Sequence, residues 1–299
     1  MDSLWAAQIF SLLAALGLAT GDAAARFGLR ASTPITGILV LMVTTLVMYG
    51  PLAVATFRPE EMELRGLLIL VAAGFAAPGL AGTLHYMSFR RIGLSRSVAI
   101  VGSSPLITVI FAVVTLGERP NWLVYWGTVL IVAGVISLAR EQRGAGSRGE
   151  AGRKPVWYYF VLPAVATLLF GAAATLRKVG ISMIPNLSVA LSASAIGGLL
   201  TIALWHPFLP REERVRLGRR NVGYFVANGV LVSLGHLAFF AALQRGPLSI
   251  VAPLVYTTPL FALAFSWLLF REVERLNTRL AASALLICVG AALVTLSRG

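Results

Sequence analysis

Charged side chains are scarce in this sequence. Only 12% of its 299 residues are Asp, Glu, Lys or Arg, about half the share that is usual in a soluble domain. In contrast, 58% are hydrophobic and the mean hydropathy is +0.83. A water-soluble core of this size cannot bury so many apolar side chains, so lipid must cover much of the surface. The composition predicts an integral membrane protein, with the lipid bilayer as its main partner.

The residues that build catalytic and metal sites are also rare. The single cysteine, Cys288, excludes an internal disulfide and a cysteine-rich metal site. The chain has only two aspartates and three dispersed histidines, and it contains neither an HExxH pair nor a Walker loop. We therefore expect no enzyme activity, no catalytic residue, no metal and no cofactor.

Ten apolar runs are long enough to cross a bilayer, which takes about 20 residues of helix. They predict an all-α integral membrane protein with ten transmembrane helices. The runs cover residues 4–24, 34–57, 65–88, 95–117, 121–139, 156–178, 186–206, 221–243, 247–270 and 278–297.

The basic residues indicate the orientation. With ten spans both chain ends lie on one side of the membrane, here called the terminal face, and the loop at 140–155 lies on the other, the linker face. Of the 25 Lys and Arg residues, 18 fall on the linker face and 7 on the terminal face. The positive-inside rule then places the linker face in the cytoplasm of a plasma (inner) membrane and both termini outside. It also accounts for the net charge of +13 without a nucleic-acid partner.

A repeat divides the chain at its longest polar stretch. Residues 140–155 are rich in glycine and basic residues and are interpreted as a flexible linker between a five-helix half at 1–139 and a second at 156–299. His85 and His236 each precede a phenylalanine by four residues, and Ser103-Ser104-Pro105-Leu106 returns as Thr257-Thr258-Pro259-Leu260. Thirteen residues after each of these prolines comes an acid, Glu118 and Glu272. Since five spans is an odd number, the second half must be inverted, as in many secondary transporters.

These residues resemble those of the drug/metabolite transporter superfamily, in its EamA-type ten-helix branch. The resemblance rests on Pro105 and the Leu-Gly-Glu ending at Glu118, on Gly127 and Gly134, and on the counterparts Pro259, Glu272 and Gly290. The second half departs from the pattern where Phe270-Arg271 precedes Glu272. The resemblance implies a central cavity and cargo such as amino acids, nucleobases or toxic small organic molecules, often exported.

Candidate cavity residues are the polar and aromatic side chains within the spans. The histidines suit proton handling or could be packing groups, and the hydroxyls beside the prolines could bind cargo or satisfy backbone carbonyls. The candidates are Trp5, Gln8, His85, Tyr86, Ser103, Ser104, Asn228, His236, Tyr256, Thr257 and Thr258.

The prolines and acids have separate predicted roles. Pro105 and Pro259 are expected to kink their helices. Asp22 has Arg26 one turn further on, which favours an ion pair or alternatively a gating or substrate-amine contact. Glu118 and Glu272 are expected to hold helix ends, with gating as the alternative.

The sequence thus predicts a secondary transporter, and more narrowly an exporter, of small metabolites such as amino acids or related amphipathic compounds. The alternatives are a membrane-embedded enzyme and a non-transporting membrane scaffold. Because the two fused halves complete a pathway, a monomer is expected, and an oligomer is also compatible with the sequence.

Overall fold

The computed structural model describes residues 2–59, 63–141, 157–269 and 278–297. Within these ranges ten helical segments are long and apolar enough to span a membrane, which confirms the predicted fold class. The segments are Ser3–Gly28, Pro34–Ala55, Leu64–Ser88, Arg96–Leu116, Trp122–Arg140, Tyr158–Met183, Leu187–Phe208, Asn221–Arg245, Leu248–Phe265 and Thr278–Leu296; they are called the first to tenth spans.

Seven spans are continuous α-helices, and their bounds lie within three residues of those of the apolar segments. Short 3₁₀ turns flank three of them at Leu29–Ala31, Trp157–Phe160 and His206–Phe208. The seven α-helices are Asp2–Gly28, Pro34–Ala55, Trp122–Glu141, Val161–Met183, Leu187–Trp205, Arg219–Arg245 and Thr278–Leu296.

The third, fourth and ninth spans are each interrupted near the middle of the membrane. The fourth consists of Leu94–Val101 and Ser104–Leu116, and the ninth of Leu248–Val255 and Thr258–Leu269. The third consists of Leu64–Gly74 and Ala81–Ile92, joined by a π-helical turn at Phe75–Leu80 that contains Pro78. The paired prolines predicted the interruptions in the fourth and ninth spans. The interruption in the third span was not predicted.

Helices of one half pack mainly against helices of the other. The first span packs on the eighth, the second on the seventh, the third on the sixth and the fifth on the tenth. Glycines allow close approach at these crossings, as is common in membranes. A Cβ atom added at Gly17 would lie 2.8 Å from the Cα of Gly235, and one at Gly127 would lie 2.6 Å from the carbonyl oxygen of Gly290.

The sixth span extends further than hydropathy indicated, and this corrects the count of basic residues. Its predicted end was residue 178, but the helix continues to Met183. Arg177 and Lys178 therefore lie inside the span and not in a loop on the terminal face. Removing both leaves 18 basic residues on the linker face against 5 on the terminal face, so the asymmetry becomes larger.

Candidate functional site

A small cavity lies in the interior, between spans of both halves. Its polar walls are Thr45, Arg177, Ser194 and His236, and its apolar walls include Met42, Pro78, Leu191 and Phe240. In this conformation the enclosed space is about the size of one water molecule. The arrangement combines one fixed cation with a mostly apolar surround, which is the usual character of a small-molecule site.

Arg177 is the central polar group of this cavity. Its side chain is 9% exposed, and its Nη2 atom donates a hydrogen bond to the carbonyl oxygen of Ala77. Its Nε atom is buried and has no hydrogen-bond partner. Within the part of the chain that the structure describes, no carboxylate forms an ion pair with this guanidinium.

The interruption in the third span makes the Ala77 carbonyl available. Ala77 has an extended backbone, with φ −150° and ψ 134°, in the middle of an otherwise helical segment. The amide of Ala81 donates to the carbonyls of Ala76 and Pro78, and not to Ala77 as it would in a regular helix. The freed carbonyl accepts the hydrogen bond from Arg177, which places the guanidinium beside the middle of the third span.

Two predicted residues, His236 and Tyr256, lie beside Arg177. Both are in electrostatic contact with the guanidinium. The Tyr256 hydroxyl also interacts with the hydroxyls of Ser104 and Thr108, so it lies close to the second half-helix of the fourth span. Polar side chains of the eighth and ninth spans thus lie near the cation.

The hydroxyls beside the paired prolines bond to their own backbone. Each donates to the carbonyl three residues earlier, and the two sets of bonds match at the repeat spacing of 154 residues. The bonds join Ser103 to Ile100 (2.6 Å), Ser104 to Val101 (2.6 Å), Thr257 to Leu254 (2.7 Å) and Thr258 to Val255 (2.7 Å). These hydroxyls thus satisfy the carbonyls at the interruptions, and a role in binding cargo stays a prediction.

The double substitution Pro105→Ala with Pro259→Ala should reduce transport much more than membrane insertion. Both prolines stand in the first turn of a second half-helix, where alanine would allow the fourth and ninth spans to straighten. Proline disfavours a continuous helix by about 3 kcal/mol relative to alanine. Each substitution should therefore stabilise the straight, uninterrupted form of its span substantially. The measurements are initial transport rate and the amount of folded protein in the membrane.

Pro51→Ala is the matched control for this pair. Pro51 also lies inside a span, but its helix runs uninterrupted from Pro34 to Ala55, so alanine there should leave the rate nearly unchanged. Normal transport by the folded double variant would show that the interruptions do not depend on the prolines.

A second polar cluster lies on the linker-face side of the cavity. Asp22 is exposed, and its carboxylate interacts electrostatically with Arg26 and Tyr86. His85 stacks on Tyr86 at 6.1 Å and meets the ring of Phe170 edge-on at 6.3 Å. Phe170 precedes Arg177 by seven residues, two helical turns on the same face of the sixth span, so the cluster is continuous with the face that carries the buried cation.

On the terminal-face side of the cavity, Glu118 of the first half contacts the second half. Glu118 accepts hydrogen bonds from the amides of Leu248 (2.7 Å) and Ser249 (2.8 Å) at the start of the ninth span. Lys178 interacts electrostatically with Glu118 and donates to the carbonyls of Leu243 (2.5 Å) and Gly246 (2.8 Å). The repeat counterpart of Glu118, which is Glu272, lies outside the described residues.

Three predicted candidates lie away from the cavity. Trp5 is 55% exposed, in a row of exposed apolar side chains with Ile9 and Leu13. Gln8 donates to the carbonyl oxygen of Thr295 in the tenth span at 3.0 Å. Asn228 is buried where the eighth span crosses the first, beside Gly21. The structure therefore places these three at lipid-facing or helix-packing positions.

Sequence reasoning missed Arg177 and the interruption at Ala77. A signal for each was present, since an arginine near the end of an apolar run can lie inside the helix, and Pro78 interrupts the third run as Pro105 interrupts the fourth. Among the described residues, no group of three His, Cys, Asp or Glu side chains could hold a metal ion.

Ten spans arranged as two inverted halves around a buried polar site define the inverted-repeat class of membrane transport proteins. The family model of the EamA-like transporter family matches residues 5–140 and, a second time, residues 157–296. The chain belongs to this family, which confirms the resemblance seen in the sequence.

A solved crystal structure has the same fold. It superimposes with a TM-score of 0.79 over 97% of this chain and 96% of that chain, at 16% sequence identity. At that identity the likeness shows the fold alone. No curated protein matches the sequence.

Proposed function

We propose that this protein is a secondary transporter that moves small metabolites by alternating access between its two inverted halves. The observation that carries the proposal is the buried cation Arg177 in a cavity shared by both halves. An ionisable side chain in the middle of a membrane is costly and usually marks a pathway for substrate or ions. The family assignment supports the same conclusion.

The contacts on the two sides of the cavity support the alternating mechanism. On the terminal face, Glu118 of the first half bonds to the start of the ninth span in the second half. Lys178 interacts electrostatically with Glu118 and bonds to backbone carbonyls of its own half. On the linker face, the Asp22 carboxylate is exposed, and no described hydrogen bond joins it to the second half. We infer a conformation that is closed at the terminal face and accessible from the linker face.

The direction of transport follows from the proposed orientation. Since 18 basic residues lie on the linker face, we propose that this face is cytoplasmic, that the termini are extracytoplasmic and that the protein resides in the plasma (inner) membrane. A site that opens first toward the cytoplasm suits an exporter. Amino acids and related amphipathic compounds fit a site with one cation and mostly apolar walls, and a monomer is sufficient for the pathway.

A counterflow assay in proteoliposomes tests the function. Vesicles loaded with unlabelled amino acids, nucleobases or cationic dyes are placed in the same labelled compound, with and without a pH gradient. Counterflow of one class would establish carrier activity, and a dependence on the gradient would indicate proton coupling. If folded, inserted protein exchanges none of these classes, the proposal of a carrier for such cargo is wrong.

A further inference from the structure

We propose that Arg177 is the anchor for a carboxylate group of the cargo. This inference rests on the proposed transport function and specifies its substrate class. The cargo is then a small monocarboxylate with an apolar body, such as an organic acid or an amino acid.

The first argument is charge balance. Arg177 is 9% exposed within the sixth span, and no described carboxylate is paired with it. A buried cation without a counter-charge is strongly disfavoured in a low-dielectric interior. An anion bound from solution supplies the missing charge during transport.

The second argument is hydrogen-bonding capacity. The guanidinium has five N–H donors in a rigid fork that suits a carboxylate. The Ala77 carbonyl uses Nη2, whereas the buried Nε has no partner. One donor next to the cavity is therefore available to an oxygen of the cargo.

The third argument distinguishes a carboxylate from a phosphate. A phosphate monoester carries about two negative charges near neutral pH, but Arg177 is the one cation on the cavity wall within the described part of the chain. The nearest basic residue, Lys178, is engaged by two backbone carbonyls toward the terminal face. A single negative charge matches a single cation, and the Met42, Leu191 and Phe240 walls suit an apolar body.

The test uses four probes of similar shape. L-leucine and 4-methylpentanoate carry a carboxylate, with and without an amine, and leucinamide and 4-methylpentanamide are the corresponding amides. Binding is measured as thermal stabilisation of the purified full-length protein and as inhibition of counterflow. We expect the carboxylates to bind and the matching amides to bind weakly.

Two substitutions link the selectivity to the guanidinium. Arg177→Gln should weaken carboxylate binding roughly 10- to 100-fold, the value of a charged hydrogen-bonded contact, and should leave amide binding unchanged. Arg177→Lys keeps the positive charge but loses the forked arrangement of N–H donors, so an intermediate affinity for carboxylates is expected. Arg140→Gln, which removes an exposed arginine at the end of the fifth span, is the control. Melting without ligand reports separately any loss of the bond to Ala77.

Each result decides the proposal. Binding of both carboxylates, or of L-leucine alone, supports it, and the second result adds a requirement for the amine. Equal binding of acids and amides, unchanged selectivity in Arg177→Gln, or no response of folded protein to either acid would overturn it. Counterflow of an uncharged or cationic compound in that last case would leave the transport function intact and refute only the carboxylate site.

Discussion

Gly197→Ala should destabilise the folded protein by about 3 kcal/mol, the upper range for overpacking a closely packed site. A Cβ atom at Gly197 would overlap the carbonyl oxygen of Val71 and lie 2.7 Å from the backbone nitrogen of Phe75. Both are backbone atoms of the third span, so no side-chain rotation can relieve the clash. The seventh span would have to move away from the third, directly beside the cavity.

Thermal unfolding in detergent and the yield of monodisperse protein measure this effect. Gly223→Ala is the matched control, because nothing lies within 4 Å of its added Cβ and alanine favours a helix by about 1 kcal/mol over glycine. The two substitutions should therefore change stability in opposite directions. A Gly197→Ala variant as stable as the parent would show that the third and seventh spans are not packed at this distance.

Glu118→Ala should open the terminal face, with the population of open molecules rising roughly 100-fold. The Glu118 carboxylate accepts two amide hydrogen bonds, from Leu248 and Ser249, and hydrogen bonds to a charged group contribute about 1.5–3 kcal/mol each. It also lies at the positive end of the half-helix Leu248–Val255. A net loss of about 3 kcal/mol corresponds to the stated change in population.

Cysteine labelling from the terminal face measures the opening. The native Cys288 is first replaced by serine, and the buried Ser249 is replaced by cysteine as the reporter. Maleimide should label the reporter much faster in Glu118→Ala, with Glu118→Gln intermediate because its amide oxygen remains an acceptor. Glu63→Ala, an exposed acid on the same face, should leave the rate unchanged. Equal labelling of all variants would exclude Glu118 as a closing contact.

Much of the fold followed from the sequence because the bilayer restricts the possibilities. Backbone groups in lipid must be satisfied within helices, so each long apolar run predicted a span and an odd number of spans per half required inversion. The interruptions at Pro105 and Pro259 were also foreseeable, since proline cannot donate the helical hydrogen bond. Their hydroxyl neighbours could be singled out, although only the structure showed that these hydroxyls bond to the backbone of their own helices.

The centre of the site was not predicted, for two physical reasons. Hydropathy defines a span by the thickness of the hydrocarbon, about 30 Å, but the Tyr158–Met183 span has 26 residues and is about 39 Å long at 1.5 Å per residue. Because the span is longer than the hydrocarbon is thick, Arg177 near its end was interpreted as a charge in the flanking loop. Gln8 and Asn228 show the converse ambiguity, because a polar residue in a span can equally serve helix packing, and the sequence does not contain the contacts of neighbouring helices that show where each side chain lies.

The packing of helices from one half against helices of the other has a consequence for how the protein is synthesised and folded. The ribosome completes the first five helices before the eighth and tenth exist, yet the first and fifth helices pack on those two. At about 5–20 residues per second, the second half takes roughly 10–30 s to follow. During that interval the early helices must wait in lipid or beside the insertion machinery, with small-residue surfaces such as Gly17 and Gly127 still uncovered. Folding of this transporter is thus a late event, completed only when the last helix arrives beside the fifth.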